Sequence, residues 1–183
     1  MRKNSSALLA ASAASILSAL VQTANAASLA PTSAFVQEGT GDQQTQAYVA
    51  GVSRDLPWHK SLEVGTLGVY GEVAIGRWHT DGRNDATAWP TQITLSPAFR
   101  LSPSIAPTWF VEAGVGPSYI VPLFKAGHKR FSTEFNFDDH LAVGKAFGRS
   151  ELSVRLEHFS NAGISHPNPG EDFAQIRYAY RFF

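Results

Sequence analysis

Residues 89–101 read WPTQITLSPAFRL. Trp89, Thr91, Ile93, Leu95, Pro97, Phe99 and Leu101 alternate there with Pro90, Gln92, Thr94, Ser96, Ala98 and Arg100. Successive side chains of a β-strand leave opposite faces, so an alternation of period two predicts a strand with one apolar and one polar face. The same pattern recurs upstream over 67–78, where Leu67, Val69, Val73 and Ile75 oppose Gly68, Tyr70, Glu72, Ala74 and Gly76. Downstream, over 109–119, Trp109, Val111, Ala113, Val115 and Tyr119 oppose Glu112, Gly114, Gly116 and Ser118. Further strands are expected over 32–40, 45–54, 133–147, 151–161 and 172–183, and no helical period outlasts a turn or two. Eight strands make this an all-β chain.

A water-soluble sandwich would bury the apolar faces against each other. The polar faces argue for the reverse arrangement. They carry Glu72, Arg100, Glu112, Arg155, Glu157, Arg177 and Arg181 in mid-strand, charges of both signs that suit the packed polar interior of a small barrel. Trp78, Trp89, Trp109, Tyr119 and Phe182 lie near the ends of the strands, where a membrane barrel places its aromatic girdles. The joints also alternate in length. Those at 55–61, 102–106 and 148–150 are short and predict periplasmic turns, whereas 79–88, 120–132 and 162–171 are longer and predict extracellular loops. The expected fold is an eight-stranded antiparallel transmembrane β-barrel of the outer-membrane type.

The N-terminus fits export. Arg2 and Lys3 precede an apolar run from Ala7 to Val21 and a small-x-small site at Ala24-Asn25-Ala26, so residues 1–26 are expected to be a signal peptide and 27–183 the barrel domain. The chain has no cysteine, which excludes disulfides and thiolate metal sites. Without Arg2 and Lys3, 13 basic residues face 15 acidic ones, so nucleic-acid binding has no electrostatic support. His140 and His166 show no metal-ligand spacing and read as barrel lining and loop, so no metal or organic cofactor is expected.

On the strand at 151–161, Leu152, Val154 and Leu156 share a face with His158 and Ser160. If that face meets lipid, the polar pair falls at the extracellular rim, in the outer leaflet's head-group region. Residues two apart on a strand have Cα atoms roughly 6.6 Å apart, so imidazole and hydroxyl can approach hydrogen-bond reach as base and nucleophile. A carboxylate is the usual orienting partner for such a histidine. The parity of Ala174 and Ile176 puts Asp172 on the outward face and Glu171 inward, which favours Asp172 and leaves Glu171 as the alternative acid.

The stretch HFSNAGISHPNPGED, residues 158–172, resembles the signature of the lipid A 3-O-deacylase (PagL) family, outer-membrane β-barrel esterases of Gram-negative bacteria. WFVEAGVGPSYI at 109–120 and FNFDDHLAVGKAFG at 135–148 are similar to that family in the same order. The resemblance implies that His158 is the base, Ser160 the nucleophile and Asp172 the acid, where the family usually has glutamate. It implies that Asn168, with backbone N–H groups near Ala162 and Gly163, stabilises the oxyanion, and that Phe137 is an aromatic beside the site. The implied substrate is the 3-hydroxyacyl ester at position 3 of lipid A in lipopolysaccharide. The implied surroundings are outer-membrane lipids, with self-association as a homodimer left open. A non-catalytic small barrel, an adhesin or structural protein, is the competing reading, and it predicts that His158 and Ser160 are dispensable.

Overall fold

The computed structural model describes residues 30–80 and 89–182; the expected signal peptide and nearly all of the 79–88 joint lie outside the described residues. The described residues form ten strands: β1 (Ser33–Gly41), β2 (Gln46–Leu62), β3 (Gly65–His79), β4 (Thr91–Pro103), β5 (Trp109–Val121), β6 (Lys125–Ala126), β7 (Lys129–Arg130), β8 (Phe135–Phe147), β9 (Ser150–Ser160) and β10 (Glu171–Arg181). Eight of them close into a barrel in the order β1-β10-β9-β8-β5-β4-β3-β2, each antiparallel to its neighbours. Strands β6 and β7 form a separate hairpin within the long β5–β8 connection. Closure gives each of the eight barrel strands a partner on both sides, as a sheet in hydrocarbon requires.

Apart from Val69, which is buried, the faces are disposed as the alternation predicts. Val73, Ile75, Ile93, Leu95, Val111, Val115, Leu141, Val143, Leu152, Val154, Leu156 and Ile176 all point outward and are exposed, a continuous apolar belt far larger than the patches a soluble monomer shows. The interior is polar and paired. Arg155, fully buried, donates to both carboxylate oxygens of Glu72, at 2.8 and 3.2 Å, and to Glu157 at 3.3 Å; Arg177 donates to Glu72 at 2.9 Å. Nearer the short turns, Arg100 joins Glu112 and Glu151. Such charges offset their desolvation because Arg100, Arg155 and Arg177 each reach more than one polar partner. It sets the register between strands far apart in sequence.

Two expectations about this architecture need correction. The joint expected at 55–61 is not a turn: β2 runs on to Leu62 and β3 begins at Gly65, leaving a two-residue turn. Pro57 sits inside β2, but the pairing with β3 shifts register between Asp55 and His59, and a bulge is where a strand tolerates a residue with no N–H. Trp78 does not belong to a girdle. It shares parity with Glu72, Ala74 and Gly76, points into the barrel and is fully buried, with its indole N–H donating to Gln92 Oε1 at 2.8 Å.

Trp78 instead centres a plug at the loop end. The β6–β7 hairpin folds Phe124 and Phe131 into the mouth, where both meet the Trp78 ring edge-on with centroids 5.1 and 6.4 Å away. Phe159 and Phe173, the inward residues of β9 and β10, complete the cluster at 5.0 and 4.8 Å from Trp78. The plug closes the mouth and backs the strand ends whose outward residues are His158, Ser160 and Asp172.

Candidate active site

The local backbone makes His158 and Asp172 partners before any side chain is considered. They are directly opposite each other in the β9–β10 ladder, on the outward face. Opposed residues have Cβ atoms about 4.5–5.5 Å apart, which a carboxylate and an imidazole can bridge. They do: His158 Nδ1 lies 2.6 Å from Asp172 Oδ1. Gly170 has φ +66° and passes directly behind the ring; a Cβ there would stand 2.6 Å from His158 Cε1. Only glycine lets the loop make both the left-handed turn and this approach.

Ser160 closes β9, two residues from His158 on the same face and opposite Phe137 of β8. Ser160 Oγ makes no hydrogen bond to His158 in this structure; such contacts commonly tighten only around substrate. Phe137 is half-buried and stacks edge-on against Phe135 with centroids 5.2 Å apart, a wall beside the serine. Asp172 faces outward and Glu171 inward, as strand parity predicts. Glu171 is fully buried and paired with Lys129 Nζ at 3.1 Å, and Lys129 also reaches Asp42 at 2.5 Å. Burial works to lower the Lys129 pKa, but these two acids outweigh it and hold the ammonium above its ordinary value. The pair fixes the first residue of β10 from inside, and thus the residue that follows.

The loop after Ser160 is held by a residue the sequence reading passed over. Asn161 is buried, and its side-chain N–H groups donate to Ser132 Oγ at 3.0 Å, Thr133 Oγ1 at 3.3 Å and Ser165 O at 3.0 Å. Its Oδ1 accepts from Gly163 N–H, and its own N–H donates to Asn168 Oδ1, each at 3.0 Å. Two consequences follow for the expected oxyanion groups. Asn168 is held by its oxygen, so its amide N–H groups are turned away from Asn161. Gly163 N–H is already engaged, whereas Ala162, in the left-handed region at φ +53°, is the loop residue between nucleophile and glycine. The sequence signal for Asn161 was its place between a strand end and Ala-Gly, which reads equally well as an ordinary side-chain-capped turn.

A groove of about 680 Å³ runs from His158 and Asp172 down the outer wall between Asp139, Leu141, Leu156 and Ala174. Its polar end holds the imidazole and its apolar end lies on the lipid-facing belt. An ester with its acyl chain in the membrane and its alcohol in the head-group layer has this polarity.

These features define a class: a transmembrane barrel carrying serine, histidine and aspartate on the outer wall at its loop end. The lipid A 3-O-deacylase (PagL) family matches residues 46–181, and the chain belongs to that family. It is 34% identical over 120 residues to the lipid A deacylase PagL of Bordetella bronchiseptica strain RB50, a match covering 64% of this chain and 65%, just under two thirds, of that protein. It is 30% identical over 147 residues to the lipid A deacylase PagL of Pseudomonas aeruginosa PAO1, covering 76% of this chain and 80% of the relative. The crystal structure of the outer membrane enzyme PagL superposes with a TM-score of 0.73 at 24% identity, over 81% of this chain and 99% of the other, so the fold is shared.

Proposed function

We propose that this protein is a lipid A 3-O-deacylase of the outer membrane that works by a serine mechanism. The observation that carries the reading is the 2.6 Å contact between His158 Nδ1 and Asp172 Oδ1 beside Ser160, on the lipid-facing wall of a chain that belongs to this family. Asp172 accepts a hydrogen bond from the Nδ1–H and leaves Nε2 free as base. His158 takes the Ser160 proton, and Oγ attacks the ester carbonyl of the 3-hydroxyacyl chain at position 3 of the proximal glucosamine. Asn168 Nδ2 and the Ala162 N–H are the donors for the oxyanion, and one well-placed donor of this kind contributes roughly 3–4 kcal/mol. Gly163 joins them only if its bond to Asn161 opens. The imidazolium then protonates the sugar oxygen, which leaves, and a water activated by His158 releases the fatty acid from Ser160.

Orientation follows the usual arrangement of such barrels, long loops outside and short turns in the periplasm, which puts the site in the outer leaflet where lipopolysaccharide resides. Residues 1–26 serve as the export signal and 27–183 are the mature chain that carries the barrel. The test is mass spectrometry of lipid A from cells expressing the wild type or Ser160→Ala. Wild-type cells are expected to lose one ester-linked 3-hydroxyacyl chain and Ser160→Ala cells none. An unchanged spectrum with folded wild-type protein would return the chain to the non-catalytic barrels.

A further inference from the structure

The interior layer around Arg155 does not balance. Among the described residues, its ion pairs and close charged contacts bring together five carboxylates, of Glu72, Glu112, Asp138, Glu151 and Glu157, and three guanidiniums, of Arg100, Arg155 and Arg177, with the more exposed Arg181–Asp55 pair at the rim. Asp138 is the acid without an arginine. The basic group at ion-pair distance from it is His140, the next inward residue of β8, with Nδ1 4.0 Å from Asp138 Oδ2. Both side chains are buried to within 3% of completely. Neither ring nitrogen of His140 has a hydrogen-bond partner, and neither does Asp138 Oδ1; Asp138 Oδ2 accepts from Ser96 Oγ at 2.9 Å. Orphaned polar atoms at this depth are costly, and here three lie on two neighbouring side chains. Glu72, from β3 across the barrel, completes the group: one ligand atom each from Glu72, Asp138 and His140 fall within 4.8 Å of one another.

We infer that Glu72, Asp138 and His140 form a structural site for a divalent transition-series cation, Zn²⁺ being the best match, inside the barrel. One imidazole nitrogen and two carboxylate oxygens, with a water as fourth ligand, are a donor set for Zn²⁺, whereas Ca²⁺ takes six to eight oxygens and Mg²⁺ keeps most of its waters. The charge of the ion equals the two-carboxylate excess of the layer. Zn–N and Zn–O bonds run about 2.0–2.2 Å, so the ligand atoms need to draw together by roughly an ångström, within reach of small side-chain rotations. Ser96 orients Asp138 with its free Oδ1 available, and Arg155 and Arg177 fix Glu72, whose Oε2 accepts twice and whose Oε1 accepts once and keeps a lone pair for the ion. Gly114 makes the space: a Cβ there would lie 2.4 Å from His140 Cε1. Sequence spacing hides the site because the third ligand comes from a distant strand. The aromatic plug closes the loop end above it, so the ion enters as the barrel assembles.

The experiment refolds the full mature chain from denaturant into detergent, with Zn²⁺ or with chelator, then dialyses both against chelator and measures metal by elemental mass spectrometry. Close to one Zn²⁺ per chain is expected to survive only in the sample refolded with metal, with a melting temperature several degrees above the chelator-refolded sample. His140→Gln should retain none and lose the metal-dependent shift, while His166→Gln, on the exposed loop, should behave as wild type. Should His140→Gln fail to fold, Asp138→Asn is the second variant, and Co²⁺ refolding of the wild type should give visible d–d absorption. Wild type without retained metal, or equal retention in wild type and His140→Gln, overturns the proposal; the latter would mean an adventitious ion only. Neither result bears on the deacylase reading.

Discussion

At the scale of single residues, function turns on which of two adjacent carboxylates meets the imidazole. Asp172 and Glu171 differ by one methylene and one position, and strand parity separates them completely: one contacts His158 at 2.6 Å, the other lies inside against Lys129. Asp172→Asn keeps the shape but removes the charge that stabilises the imidazolium, so turnover is expected to fall by orders of magnitude with the barrel intact. Glu171→Gln leaves Lys129 its contact with Asp42 and should keep most of the activity. Rates on purified lipopolysaccharide in detergent check both. A reversal of the two outcomes would mean that β10 is off by one residue, which would turn every side chain from 172 to 181 to the other face.

At the scale of elements, the loop between β9 and β10 depends on Asn161. Five hydrogen bonds run through this side chain and its N–H, reaching the β7–β8 connection at Ser132 and Thr133 as well as Ser165, Gly163 and Asn168. Asn161→Ala removes the side-chain bonds and leaves buried donors and acceptors unpaired, each worth about 1–3 kcal/mol locally. Because the closed barrel does not rely on them, the expected result is normal folding, faster proteolysis within 161–170 and a fall in kcat of at least tenfold. Digestion patterns and kinetics read the two effects separately. Loops of this kind were the least legible part of the sequence. The strands could be read because lipid on one side and a polar interior on the other impose a strict period, and that period placed His158, Ser160 and Asp172 on one wall. No period governs the connections, so the β6–β7 hairpin, its contribution of Phe124 and Phe131 to the plug, and the bonding of Asn161 left no trace. Trp78 shows the opposite error: its parity pointed inward, but its aromatic character and its place near a strand end suggested a girdle.

At the scale of the whole molecule, the barrel is a protein turned inside out, with its ion-pair network where a soluble domain keeps its aliphatic core. Arg155 is the centre of that network. Arg155→Met would leave Glu72 and Glu157 short of a partner in a layer that already carries excess negative charge, and should lower unfolding stability by about 3–5 kcal/mol. The outer wall makes the sharper prediction. Val154 is exposed in the middle of β9, within the apolar belt, whereas Trp109 is exposed at the first residue of β5, near the interface. On a soluble protein either position would accept arginine with little effect, since both side chains are exposed. In a bilayer the penalty follows depth: Val154→Arg should cost about 2–4 kcal/mol and Trp109→Arg about 0–1 kcal/mol from the charge itself. Denaturant titrations of the protein reconstituted in phospholipid vesicles measure both. Equal, small effects would contradict the membrane placement of this wall. A penalty confined to Val154 would place the belt in the bilayer, with the groove below His158 opening onto the acyl chains.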